Sequence, residues 1–314
     1  MKILITGGAG YLGNVIIREL LKKEYIKEIN VIDNFFFNQE NSILDFFSEK
    51  KINFIKGDVR NKSLLKVHLK RNDLIIPLAA IVGAPLSKVY KNLTKQLNYQ
   101  QIKNICDMKS PKQIILLPVT NSGYGIGKKN KFYDETSPLN PISLYGLTKV
   151  QAEQYLLDFD NFISLRLATV FGVSSRMRID LLVNNFVYKA NKYNKLVLFE
   201  SHFKRNFIHI KDVANAMIFL IENYNKAKNN IYNVGLENAN LTKKQLALRI
   251  KRKIKKLKII ENNFKKDPDQ RNYIVSNKKI YSLGWKPQYS VDHGISELLE
   301  YFKFFKRQNN NKNI

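Results

Sequence analysis

The run Lys2-Ile3-Leu4-Ile5-Thr6-Gly7-Gly8-Ala9-Gly10-Tyr11-Leu12-Gly13 decides the fold. Lys2 to Thr6 is apolar and β-rich, the glycines break it, and a helical pattern follows. A strand that turns sharply into a helix leaves the first helical N–H groups unpaired and aimed at one point, where a pyrophosphate can sit. Gly7 permits the tight turn, Gly10 lets a phosphate approach the backbone near Tyr11 and Leu12, and Gly13 lets the helix lie close to the sheet.

About twenty residues farther on, a second strand, Ile29 to Ile32, ends in Asp33 and Asn34. A carboxylate there accepts from the hydroxyls of an adenosine ribose and repels a 2′-phosphate, so the expected cofactor is NAD rather than NADP. A third strand, Ile52 to Ile55, leads to Asp58 and Val59. Asp58 is placed either to accept from the adenine amino group or to cap the helix that begins near Ser63. Asp73 to Pro77 forms a fourth strand, and the small residues after it, Leu78, Ala79 and Ala80, allow a flat ring to pack against backbone. A helix over Lys91 to Met108 carries Asn98, and Gln113 to Leu117 is the fifth strand. Strict alternation of strand and helix predicts an α/β fold built on a Rossmann-type doubly wound parallel sheet.

The fifth strand runs into Thr120, Asn121 and Ser122, and a helix from about Ile142 carries Tyr145 and Lys149. Residues four apart share a helix face, so phenol and ammonium project to the same side. A nearby ammonium favours the phenolate, which is the form needed to take a proton from a hydroxyl.

Composition narrows the classes. No apolar run approaches the length of a membrane span, and the chain opens with a strand rather than a signal sequence. The single cysteine, Cys106, precludes an internal disulfide, leaves no sulfur-rich metal site and points to a reducing, cytoplasmic setting. The four histidines lack zinc-ligand spacing, so no metal is expected. The net charge of +27 invites a nucleic-acid reading. The lysines are spread along the chain, however, with no nucleic-acid recognition motif, and an anionic sugar nucleotide accounts for a positive cleft equally well. Lys243 to Lys258 is a locally basic run in which Leu246, Ile250, Ile254 and Leu257 recur at helical spacing. Its plain reading is a solvated helix face, its sharper ones a subunit contact or attachment to an anionic membrane.

Taken together, Gly7 to Gly13, Asp33, Asp58, Leu78 to Ala80, Asn98, Thr120, Tyr145 and Lys149 resemble the extended short-chain dehydrogenase/reductases that act on nucleotide-diphosphate sugars. The resemblance implies a smaller C-terminal α/β substrate domain and a Thr120/Tyr145/Lys149 mechanism. Tyr145 would take the proton of a sugar hydroxyl, usually that on C4, while hydride passes to the nicotinamide. Thr120 would hold the same hydroxyl, Lys149 the nicotinamide ribose, and Asn98 a cofactor phosphate or a water. Asn121 and Ser122 stand where the 4,6-dehydratases of this family carry Asp and Glu, which argues against dehydration.

The resemblance further implies a sixth strand over Phe162 to Val170 with Thr169 near the diphosphate, a helix within Arg176 to Ala190, and substrate contacts from Ala84, Pro85, Arg176, Arg178 and Asn185. Arg205 and Arg271 match family arginines that grip a diphosphate, and Asp212 is expected to cap a helix. The NAD-binding domain is expected over 1–170 with 203–224 returning to it, and the substrate domain over 171–202 and 225–314. A final helix near Val291 to Phe305 and a disordered tail, Gln308 to Ile314, complete the expectation. Details in Pro85 and Leu86, in Thr120 to Gly127 and in Ser174 to Tyr188 resemble a narrower bacterial capsule-pathway group that oxidises C4 of GDP-D-glycero-α-D-manno-heptose. A 4-epimerase sharing the same keto intermediate is the nearest alternative. A non-catalytic nucleotide- or RNA-binding protein is the alternative from another class. Relatives pair through helices flanking Tyr145, so a homo-oligomer, dimer or tetramer, is expected.

Overall fold

A computed structural model describes residues 1–128, 130–262 and 271–304. The first half runs β1 (Lys2–Thr6), α1 (Tyr11–Leu21), β2 (Glu28–Asp33), β3 (Ile52–Lys56), α2 (Lys62–Leu69), β4 (Leu74–Pro77), α3 (Ala84–Val89), α4 (Lys91–Lys95), α5 (Gln101–Met108) and β5 (Ile114–Thr120). Then come β6 (Phe132–Tyr133), α6 (Leu144–Leu156), β7 (Phe162–Leu167), β8 (Thr169–Phe171), α7 (Leu182–Tyr193), β9 (Lys195–Phe199), β10 (Lys204–His209), α8 (Ile210–Glu222), α9 (Tyr224–Ala227) and β11 (Asn230–Val234). The last elements are β12 (Asn240–Thr242), α10 (Lys243–Lys253), β13 (Lys258–Asn262), β14 (Ile274–Val275), α11 (Lys278–Ser282) and α12 (Val291–Phe304).

The main sheet is seven-stranded in the order β11-β7-β5-β4-β1-β2-β3. Every pairing in it is parallel. A parallel sheet is covered on both faces, so its strands are apolar on both. Ile3 and Ile5 join the core with α1 and α8, whereas Leu4 joins Ile115, Leu117 and the α5/α6 side. Chain order reverses between β1 and β4, and ligands bind at such a reversal, beyond the carboxyl ends of the strands.

The smaller lobe has its own core of α7, α10 and α12 residues, with a three-stranded sheet β12-β10-β8 and a two-stranded ribbon of β13 and β9. β11 closes the edge of the main sheet, so the chain's return to that sheet reaches beyond the expected 224. The strand expected over Phe162 to Val170 divides at Ala168: β7 stays in the main sheet and β8 pairs with β10. The helix expected over Lys91 to Met108 is interrupted by a π-turn at Gln96–Gln100. That expected within Arg176 to Ala190 begins only at Leu182.

Two expected caps are corrected. Asn61, not Asp58, caps α2 by accepting from the Leu64 N–H at 3.1 Å. Asp212 lies inside the first turn of α8, where its carboxylate accepts from the backbone N–H of Gln288 at 2.8 Å and of Tyr289 at 3.0 Å; the α8 cap is His209. The basic run is helical only to Lys253, which leaves Ile254 and Leu257 outside α10. The tail Gln308 to Ile314 lies outside the described residues. Among the described residues no helix is long and apolar enough to cross a membrane, and no His/Cys/Asp/Glu group could hold a metal.

Candidate active site

β1, β4 and β5 are neighbours, so Gly7, Leu78 and Thr120 lie along one edge of the sheet. At strand spacing the edge from β1 to β5 is about 10 Å, and a dinucleotide must cross it to bring its ring near Thr120.

At the first end, Gly7 has φ +72°, and a Cβ on it would lie 2.5 Å from the Ala79 nitrogen. A Cβ on Gly13 would meet the Gly8 carbonyl oxygen at 2.3 Å, so this glycine seats the helix on its own turn. α1 has no side-chain cap and no acid in its first turn, which leaves its leading N–H groups for an anion. Asp33 is nearly enclosed and accepts from Ala9 N–H at 3.0 Å and from Phe35 N–H at 2.8 Å. Burial raises its pKa, and those backbone donors oppose the rise. These features fit a dinucleotide: close-approach glycines, uncapped amides and a carboxylate at the end of β2.

Other expected cofactor contacts divide. Asn34 Nδ2 reaches Asp58 at 3.5 Å, and Asp58 is ion-paired to Arg60 at 2.6 Å beside buried Val59. Leu78, Ala79 and Ala80 are half-buried at the sheet edge, as is Leu12 at the head of α1. The Tyr11 side chain, by contrast, is structural. Its hydroxyl donates to the Gly172 carbonyl at 2.7 Å and so ties the glycine turn to the second lobe. Asn98 is also corrected. Its carboxamide accepts from Ile81 N–H and donates to Ile81 C=O, each at 2.9 Å, and it also donates to Thr148. With no exposed surface, the side chain has no face for a cofactor and instead holds the β4 loop against α6.

At the other end, the Thr120 hydroxyl lies 2.8 Å from the Ser122 hydroxyl and faces the Tyr145 phenol, whose ionised form it favours. Burial raises the Tyr145 pKa, and the Thr120 hydroxyl, then Arg271 and Arg178, pull it back. Lys149 is not among the largest of these influences. The Lys149 ammonium donates instead to the Pro118 carbonyl at 3.2 Å, and burial lowers its pKa from 10.5 to about 8. Between those values the unfolded chain binds more protons than the folded one, so stability rises with pH from about 8 to 10.5. At neutral pH the buried charge then costs on the order of 3 kcal/mol. Lys149→Met is expected to raise the urea midpoint of the cofactor-free protein near neutral pH, with the gain shrinking as pH climbs above about 8. Urea titrations at several pH values check this, and a wild type more stable than the variant at neutral pH contradicts it.

The expected substrate contacts are distributed as follows. Ala84 and Pro85 open α3, with Ala84 buried and Pro85 exposed. Asn121 and Ser122 are buried beside Thr120, and neither polar atom of the Asn121 side chain has a hydrogen-bond partner. Thr169 begins β8. Arg178 pairs with Asp180, donates to the Val82 carbonyl at 3.3 Å and lies in electrostatic range of Tyr145. Arg176 is partly buried, with Asp33 among the charges that act on it. Asn185 is half-buried on α7, while its neighbour Asn184 binds Gly172 and the Arg178 carbonyl. Arg205 is nearly enclosed, with its guanidinium 5.9 Å from the Tyr273 ring centroid and one nitrogen donating to the Lys204 carbonyl. Arg178 and Arg271 thus act electrostatically on the phenol, while Arg205 packs on the Tyr273 ring.

Motif reading passes over a buried ion pair beneath this site. Arg166 on β7 meets Glu153 on α6 at 2.6 Å, and Ser164 donates to the same carboxylate at 2.7 Å. The signal was present in two places: Glu153 follows Lys149 by one helical turn, and Arg166 interrupts the apolar strand FISLRL.

The model of the NAD dependent epimerase/dehydratase family matches residues 3–235. A protein described as a putative UDP-glucose 4-epimerase from Methanocaldococcus jannaschii is 27% identical, over 99% of this chain and 99% of its own. UDP-glucuronic acid decarboxylase 3 of Arabidopsis thaliana is 28% identical over 96% of this chain and 89% of its own. Among solved structures, UDP-glucuronic acid 4-epimerase from Bacillus cereus, in complex with UDP-glucuronic acid and NAD, superposes with a TM-score of 0.84 at 23% identity, covering 97% of this chain and 100% of that one. UDP-glucose 4-epimerase from Thermotoga maritima, with UDP-glucose, gives 0.83 at 22% identity over 98% and 100%. These structural likenesses establish the fold alone.

Proposed function

This chain belongs to the NAD-dependent epimerase/dehydratase family, enzymes that act on nucleotide sugars, and we propose that it oxidises the C4 hydroxyl of a nucleotide-diphosphate sugar. The carrying observation is the placement of Thr120, at the end of β5, where its hydroxyl acts on the Tyr145 phenol, on the same sheet edge as the glycine turn. NAD supplies the hydride acceptor when bound. Gly7, Gly10, Gly13 and the leading amides of α1 would hold its pyrophosphate, Asp33 its adenosine ribose, and Lys149 its nicotinamide ribose. Thr120 orients the sugar hydroxyl, and Tyr145 takes its proton. Arg178 and Arg271, already close enough to act on the phenol, favour its ionised form and give the sugar diphosphate a positive surround.

Asn121 and Ser122 cannot serve as acid and base near neutral pH, which supports oxidation or epimerisation over dehydration. Resemblance in Pro85–Leu86, Thr120–Gly127 and Ser174–Tyr188 supports GDP-D-glycero-α-D-manno-heptose as the substrate, in surface-polysaccharide synthesis. The second reading is a UDP-hexose 4-epimerase, favoured by the descriptions of the two UDP-glucose 4-epimerases above. A cytoplasmic site of action is supported by the single buried Cys106. A homo-oligomer is supported by the exposed Leu147 and Leu157 on and just after α6.

Incubation with GDP-heptose, UDP-glucose and UDP-glucuronate in parallel tests the proposal. A 4-keto product from GDP-heptose is expected. An inverted 4-hydroxyl with UDP-glucose alone would give the second reading, and no change in any sugar would refute both.

A further inference from the structure

The smaller lobe carries a surface that the proposed chemistry leaves unused. β9 and β13 form a parallel ribbon in which Lys195 lies beside Lys258 and Val197 beside Ile260. Leu196 and Leu198 point inward and are buried in the lobe's core. Strand alternation therefore turns Lys195, Val197, Lys258 and Ile260 outward together, and all of them are exposed. Exposed Tyr193 precedes this face, and exposed Lys253, Lys255 and Lys256 enter it from the end of α10. Nearby acids are already engaged: Glu261 with Lys244, and Asp292 with Arg249. Among the described residues, none of the lysines of this face or of its feeding loop has an ion pair.

We propose that this ribbon face docks onto an anionic lipid bilayer. Three features select lipid over other polyanions. The cations are mostly lysines, point charges suited to a diffuse field, with the single exposed arginine Arg252 beside Lys253, rather than paired arginine forks suited to a phosphate backbone or a carboxylate. The apolar partners are a side-by-side valine and isoleucine, which can enter the headgroup boundary, where bases would call for stacking rings. Tyr193 offers the amphipathic ring that settles at headgroup depth. A second copy of the chain would bring like charge to like charge.

Co-sedimentation of the full-length protein with phosphatidylcholine vesicles, with or without about a third phosphatidylglycerol, tests the proposal. Binding is expected only to the anionic vesicles and is expected to fall steeply with salt. Changing Lys253, Lys255, Lys256 and Lys258 to Gln is expected to weaken it by about fivefold per lysine, enough together to abolish sedimentation. Val197→Ser with Ile260→Ser is expected to weaken the residual binding at high salt. A control changing Lys62, Lys66, Lys70 and Lys112 to Gln on the other lobe, all exposed, removes the same charge and is expected to leave binding nearly intact. The proposal is overturned by absence of binding to anionic vesicles, by equal loss in the control, or by tighter binding to single-stranded RNA that the same lysine changes remove.

Discussion

Tyr145→Phe is expected to lower turnover of the nucleotide sugar by about 10²–10⁴-fold, the usual contribution of a positioned acid or base, with NAD affinity nearly unchanged. Only the phenolic oxygen is removed. The ring still fills its place on α6, and the glycine turn that would hold the cofactor stands at the other end of the sheet edge. Because burial raises the Tyr145 pKa, the rate should climb with pH as the phenol ionises. Arg178 pulls that pKa down, so Arg178→Met should move the climbing limb of kcat/KM to higher pH. Steady-state rates across pH for wild type and both variants, with NAD titrated by fluorescence, supply the check. Loss of NAD binding in Tyr145→Phe, or an unmoved limb in Arg178→Met, would show that the phenol is not the titrating base.

The largest stability effect is expected at Glu153. Its side chain and that of Arg166 are almost fully enclosed, and removal of one partner strands a charge that water cannot reach. Glu153→Ala is expected to cost about 3–5 kcal/mol, a large part of the stability of an ordinary domain. Arg166 also donates to the Tyr124 hydroxyl and the Glu135 carbonyl, each at 3.1 Å, so its loss would leave both without that donor as well. The double change Glu153→Leu with Arg166→Met should recover part of the loss, since no unpaired charge is then buried, although Ser164, Tyr124 and the Glu135 carbonyl each lose a partner. Denaturant midpoints for the single and double variants decide the matter. Additive losses would mean that the two groups are not coupled.

The main sheet was legible because a parallel strand buried on both faces must be apolar throughout, and β1, β4 and β5 have no other reading once the glycine turn is placed. Tyr145 and Lys149 were legible only through their place after the fifth strand and beyond Thr120, since a Tyr/Lys pair four apart is by itself usually just a helix face. What spacing cannot convey is where a long side chain spends its hydrogen bonds. Asn98 looks like a ligand by position, yet it is consumed by the Ile81 backbone, and the Lys149 ammonium goes to a carbonyl. The break at Ala168, where the chain leaves one sheet for another, is a tertiary event inside an apolar run with no local marker. Asp212 illustrates the same limit. Its partners are backbone groups more than seventy residues away, and a carboxylate near a helix start reads first as a cap.

A rapid-quench single turnover of NAD-loaded enzyme with a nucleotide sugar deuterated at C4 tests the central claim most directly. The account predicts reduced-nicotinamide absorbance that rises more slowly with the deuterated sugar, with the label retained by cofactor or sugar and none released to water. Wash-out of the label into solvent without any reduced nicotinamide would mean that the carbinol loses a proton rather than a hydride, and would contradict it.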